Sequence, residues 1–262
     1  MADPVLQIAD AELTVGDRTL WSGLSLDVQP GEFIAVLGSN GSGKTSLLRA
    51  ILGERELTHG TISFAEGKHS IGYVPQHYAA ADGAPVRARD LISLAIDGNR
   101  FGFPWPSRAR TAQVNATLAQ VGATDLARVP VASLSGGQQQ RIRIGQALAA
   151  DPCVLLCDEP FGSLDPRQQH VAAELINRRR LDHQTAVLLV THDINPILGM
   201  VDRVLYLAGG TFRIGTVAEV MRSETLTELY GAPVEVVTVG DRMFVLGTDE
   251  DPHEHGRVHH HG

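Results

Sequence analysis

The chain has 262 residues, 43% hydrophobic and 20% charged, ordinary for a folded globular protein, so a disordered chain is excluded. Its 30 acidic residues outnumber 22 Lys and Arg for a formal charge of −8, which argues against nucleic-acid binding through a basic face. The longest strictly apolar run is five residues, as in Phe33 to Leu37, where a membrane span needs about 20, and the N-terminus lacks a secretory-signal pattern. Both cysteines, Cys153 and Cys157, lie in one short apolar run and read as buried strand thiols, which fits a reducing cytoplasm better than half of a metal site.

Residues 5 to 15 and 24 to 29 alternate loosely between apolar and polar, predicting an antiparallel start with a turn-rich segment between them. Phe33 to Leu37 is continuously apolar, as a parallel strand buried on both faces should be, and it runs into Gly38 to Gly43. Leu47, Leu48, Ile51 and Leu52 then share one face of a helix ending near Gly53. Short strands follow at 61 to 64 and 71 to 75. From Gln76 to Ala150 the periodicity is helical, with candidate helices at 86 to 96, 107 to 121 and 135 to 150, and an aromatic loop from Phe101 to Pro106. Strands resume at 153 to 157, 186 to 190 and 204 to 207, around a helix that Asp165 caps and Pro166 starts. Arg178 to Arg180 are expected to close that helix and complement its macrodipole. Gly240-Asp241 between two apolar runs predicts a hairpin, and the polar, His-rich composition beyond Thr248 predicts a disordered tail.

Gly38-Ser39-Asn40-Gly41-Ser42-Gly43-Lys44-Thr45 fits G-x-x-x-x-G-K-[ST], in the strand–loop–helix setting that a phosphate loop requires. The glycines let the backbone wrap phosphates, the N–H groups and helix N-terminus supply positive charge, Lys44 reaches the β- and γ-phosphates, and Thr45 offers its hydroxyl to Mg²⁺. At the end of the strand beginning at Cys153, Asp158 is the candidate Mg²⁺ anchor. Glu159, next to it, is placed to take a proton from, or to orient, the water that attacks the γ-phosphate.

With these residues, Leu134-Ser135-Gly136-Gly137-Gln138-Gln139-Gln140-Arg141 closely resembles the signature of the ATP-binding-cassette (ABC) ATPases, and the likeness runs from about Val5 to Gly231. The resemblance implies an α/β P-loop fold: a mostly parallel sheet core, an N-terminal antiparallel β region and an inserted helical subdomain. On this reading residues 1–75 and 151–231 form the nucleotide-binding core, 76–150 the helical subdomain, 232–247 a hairpin extension and 248–262 the tail. It also implies that Ser135, Gly136, Gly137 and Gln138 contact ATP held by a facing second cassette, most simply a copy of this chain. Gln76 resembles the glutamine that senses Mg²⁺ and water, Ser163-Leu164-Asp165 the loop crossing the dimer interface, and His192 the histidine contacting the γ-phosphate. The chain departs from the family at Val15, where many members carry an aromatic that stacks on adenine.

A free-standing cassette resembles bacterial importer subunits and some split exporters; as an importer it would act with integral membrane permease subunits at the cytoplasmic face of the inner membrane, served indirectly by an extracytoplasmic solute-binding protein. The 107 to 110 region and the Tyr230 to Val234 extension look similar to the zinc and manganese subfamily. His253, His255, His259, His260 and His261 in the tail are candidate metal ligands, or a scar of expression. An iron-chelate or other small-solute importer is the neighbouring alternative, and a soluble assembly ATPase the alternative from another class.

Overall fold

The computed structural model describes residues 3–65, 70–76, 86–97 and 107–247. In chain order the elements are β1 (Leu6–Val15), β2 (Arg18–Val28), β3 (Phe33–Gly38), α1 (Lys44–Ile51), β4 (His59–Phe64), β5 (Ile71–Val74), α2 (Ala88–Asp97), α3 (Arg108–Gln120), α4 (Gly136–Leu148), β6 (Val154–Asp158), α5 (Pro166–His183), β7 (Ala186–Val190), β8 (Arg203–Ala208), β9 (Thr211–Gly215), α6 (Val217–Val220), α7 (Ser223–Tyr230), β10 (Val234–Val239) and β11 (Arg242–Gly247). The aromatic loop and the histidine tail lie outside the described residues.

The main sheet has the order β5-β6-β7-β3-β8-β9, parallel throughout except for the β8–β9 pair. Successive residues of a strand face opposite sides, and β3 divides the core accordingly. Phe33, Ala35 and Leu37 join the cluster formed with the helices, including Ile92, Leu118, Ile142 and Ile176. Ile34 and Val36 join a second cluster with α1 and the antiparallel sheet β2-β1-β4, including Trp21, Leu24 and Leu47. Burial on both faces is why these strands are continuously apolar. Cys157 is buried in the first cluster, whereas Cys153, just ahead of β6 and only partly buried, packs against the second, so the expectation of two buried strand thiols holds for Cys157 alone.

Three sequence expectations change. β2 starts at Arg18, turning from Val15 through Gly16-Asp17, and register shifts between β1 and β2 break the alternation that would have marked residues 18 to 23 as strand. The antiparallel edge strand β9 is additional; its signal is the Gly209-Gly210 turn, both at positive φ, which pairs Ala208 with Thr211. The triple arginine closes α5 only in part: Arg180 falls in the last turn, and the helix continues to His183. Arg179 is buried, donating to Thr185 Oγ1 at 3.0 Å and pairing with Asp151, and Arg180 donates to Asp202 Oδ2 at 2.7 Å. These arginines tie α5 to the segments that lead into β6, β7 and β8.

The β10–β11 hairpin packs beside the phosphate-loop edge. The Asn195 side chain accepts from Met243 N at 2.7 Å and donates to Met243 O at 2.9 Å, and a cavity of about 240 Å³ lined by Gly38, His192, Tyr206, Met221 and Phe244 lies between hairpin and core. Arg179→Ala should destabilise the fold by about 1–3 kcal/mol, the cost of a lost charged hydrogen bond and its packing, read by urea denaturation. Unchanged stability would make the pairing incidental.

Candidate functional site

The site grows from the carboxyl ends of parallel neighbours. β3 delivers Gly38 in a backbone only glycine adopts freely (φ 139°), and a Cβ there would collide with the Leu207 carbonyl oxygen. The loop ends at Gly43, whose Cβ would lie 2.8 Å from Trp21 Nε1, so a fully buried indole underpins the turn into α1. Lys44 is buried and folds back along the loop, donating to the carbonyls of Gly38 at 2.8 Å and Ser39 at 2.9 Å. Burial lowers its pKa, opposed by the nearby negative charges of Glu159 and Asp158.

β6 lies two strands from β3, with β7 between, and places Asp158 at the same edge. Asp158 is 2% exposed and accepts from Thr45 Oγ1 at 3.1 Å. Burial raises its pKa; the Thr45 hydrogen bond opposes the rise, and Glu159 adds to it. A buried carboxylate beside a hydroxyl is an all-oxygen pair suited to a hard cation such as Mg²⁺. The fit to a divalent ion therefore rests on this contact and on a negative charge that burial leaves under-compensated.

Glu159 adopts φ 47°, an uncommon value for a side-chain-bearing residue, and its backbone N–H is anchored to the Val190 carbonyl at 2.9 Å. Beyond β7, His192 brings Nδ1 to 2.7 Å from Glu159 Oε2. The imidazole is 63% exposed and the carboxylate 14%, so the histidine faces solvent while holding a sheltered carboxylate.

Ser135 caps α4 in a reciprocal box, accepting from Gln138 N at 3.4 Å while Ser135 N donates to Gln138 Oε1 at 3.0 Å. Ser135 and Gly136 are exposed, whereas Gly137 is buried against Gln168 of α5, where a Cβ would have no room. Asp165 caps α5 through Gln168 N at 2.9 Å. The chain thus brings together Gly38 to Thr45, Asp158, Glu159 and His192. Among the described residues, no hydrogen bond or ion pair joins Ser135, Gly136 or Gln138 to that cluster. Gln76 stands exposed just past β5, beside the strand that carries Asp158. Val15 is 44% exposed at the tip of the first hairpin, while Trp21 is too buried to stack on a base. The underpinning role of Trp21 was missed in sequence because only the fold brings β2 beneath Gly43.

The family described as "ABC transporter" matches residues 21–162. The zinc import ATP-binding protein ZnuC of Halorhodospira halophila is 32% identical over 88% of this chain and 84% of that protein. Its namesake from Roseobacter denitrificans is 34% identical over 87% and 84%. A solved metal-chelate type ABC transporter in an inward-facing conformation superposes with a TM-score of 0.80 at 27% identity, covering 92% of this chain and 95% of that one.

A carboxylate whose folded pKa is raised binds more protons folded than unfolded just above its ordinary range, so stability falls as pH rises through that window. Asp158→Asn should therefore raise the melting temperature of the nucleotide-free protein at neutral pH, with the gain vanishing under acid conditions where the wild-type carboxyl is protonated in both states. A variant less stable than wild type at pH 7 would show the Thr45 hydrogen bond to outweigh desolvation.

Proposed function

The chain belongs to the ABC transporter family and is an ATP-binding ATPase, and on that premise we propose that it powers import of zinc or a similar divalent metal through a separate membrane permease. The observation that carries the catalytic part is the convergence of the phosphate loop, Asp158, Glu159 and His192 on one sheet edge. The metal cargo rests on zinc-import relatives that align over 87% or more of the chain. No helix among the described residues is long and apolar enough to cross a membrane. A peripheral seat on that permease and an extracytoplasmic solute-binding protein belong to the same reading.

In this mechanism the loop amides of Gly38 to Gly43 and the Lys44 ammonium hold the β- and γ-phosphates. Lys44 exchanges its carbonyl partners for phosphate oxygens, regaining the charge compensation that burial denies it. Thr45 and Asp158 would hold Mg²⁺, with Gln76 the nearby sequence candidate, and a bound ion would supply charge neutralisation for the phosphates. Glu159 takes the proton of the attacking water, held in line by His192, whose exposed ring reaches the γ-phosphate. Ser135, Gly136, Gly137 and Gln138 bind the ATP of a second copy, the exposed cap of α4 offering a hydroxyl and helix-terminal N–H groups to an anion.

Glu159→Gln should bind ATP as the wild type does while losing turnover by about 10²–10⁴-fold, measured by phosphate release; wild-type turnover would overturn the base assignment. Lys44→Ala should instead weaken nucleotide binding itself. For cargo, ATP-trapped Glu159→Gln recovered from native membranes should carry a multi-span partner, and wild-type cells should take up labelled zinc faster than cells lacking the chain. An iron-chelate importer is the second reading, favoured by the likeness to a metal-chelate transporter. Uptake of a labelled iron chelate without zinc uptake would establish it.

A further inference from the structure

The tip of the first hairpin sets a cation over the phosphate loop. Val15 and Arg18 are cross-strand partners on either side of the Gly16-Asp17 turn, so their side chains share one face of the hairpin. Arg18 Nη1 lies 3.8 Å from where a Cβ would sit on Gly41, the middle of the phosphate-wrapping segment. Arg179, Arg180 and Arg203 are each held by a carboxylate. Arg18, by contrast, is exposed and has no carboxylate or hydrogen-bond partner among the described residues. The other loop cation, Lys44, is held by the loop's own carbonyls at Gly38 and Ser39.

A guanidinium binds a nucleotide either flat against the base or through paired N–H groups on phosphate oxygens. Its placement against Gly41, within the run of loop amides that receives phosphates, favours the second. We propose that Arg18 is a nucleotide-binding residue whose guanidinium closes over the polyphosphate chain from the hairpin side, supplying affinity at a site whose hairpin offers only Val15 to the base. The proposal rests on the ATPase reading and extends it to a residue outside the phosphate loop.

The test is calorimetric titration of Mg²⁺ complexes of ATP, GTP and CTP into wild-type, Arg18→Ala and Arg18→Lys protein. Arg18→Ala should weaken all three by the same factor, roughly tenfold for a charge-assisted contact. Arg18→Lys should recover part of the loss, because an ammonium still meets phosphate as a point charge but without the paired geometry. Unchanged ATP affinity in Arg18→Ala overturns the proposal. So does a loss that falls on ATP and GTP and spares CTP, which would make Arg18 a base-stacking residue. Failure of the wild-type protein to bind any of the three would strike the ATPase reading instead.

Discussion

Strands β3, β7 and β6 lie side by side and parallel, so the chain leaves Gly38, Val190 and Asp158 at one edge of the sheet. Everything chemical in the molecule depends on that alignment. An antiparallel neighbour would send its carboxyl end to the far edge, whereas parallel pairing places a phosphate loop, the buried carboxylate of Asp158 and a histidine-bearing loop within reach of one another. Backbone hydrogen bonds hold the exits in register: Thr191 N donates to Val36 O at 3.2 Å and Glu159 N to Val190 O at 2.9 Å. The full burial of these strands is therefore a condition of the site as well as of stability.

The edge concentrates charge that burial accommodates poorly. Burial lowers the pKa of Lys44 and raises that of Asp158, two opposite charges each pushed toward neutrality and each partly compensated by the other. A ligand that brings phosphate oxygens to one and a divalent cation to the other relieves both at once. The left-handed backbone of Glu159 and its contact with His192 belong to the same pattern, strain and polarity held in place by a rigid sheet.

Around this edge the remaining elements have separable tasks. The helical layer presents the Ser135 cap outward while Gly137 keeps α4 close against α5, so the proposed second anion site is exposed by the same packing that fixes its helix. In the proposed sandwich that outward face meets another cassette. On the other flank, Asn195 ties Met243 of the C-terminal hairpin to the loop that carries His192, so the extension and the histidine share one anchored segment.

The sequence by itself determined the local parts. The phosphate loop, the acidic pair after an apolar strand, the Ser135 cap and the Asp165 cap all follow from short-range chemistry: glycine conformations, hydrogen bonds spanning three residues, and burial patterns within single strands. The order of the sheet, the reach of β2 back to Arg18, and the pairing of Arg179 with Asp151 were decided only by tertiary structure, because each depends on groups far apart in the chain. β9 fell between, since its glycine turn was visible but its alternation was too short to mark a strand without β8 beside it. The same holds at the site. Sequence named Lys44, Thr45, Asp158, Glu159 and His192, but the fold alone put Trp21 beneath Gly43 and Arg18 above Gly41. No local pattern encodes which strand of an antiparallel sheet will lie across a loop that a parallel sheet extends.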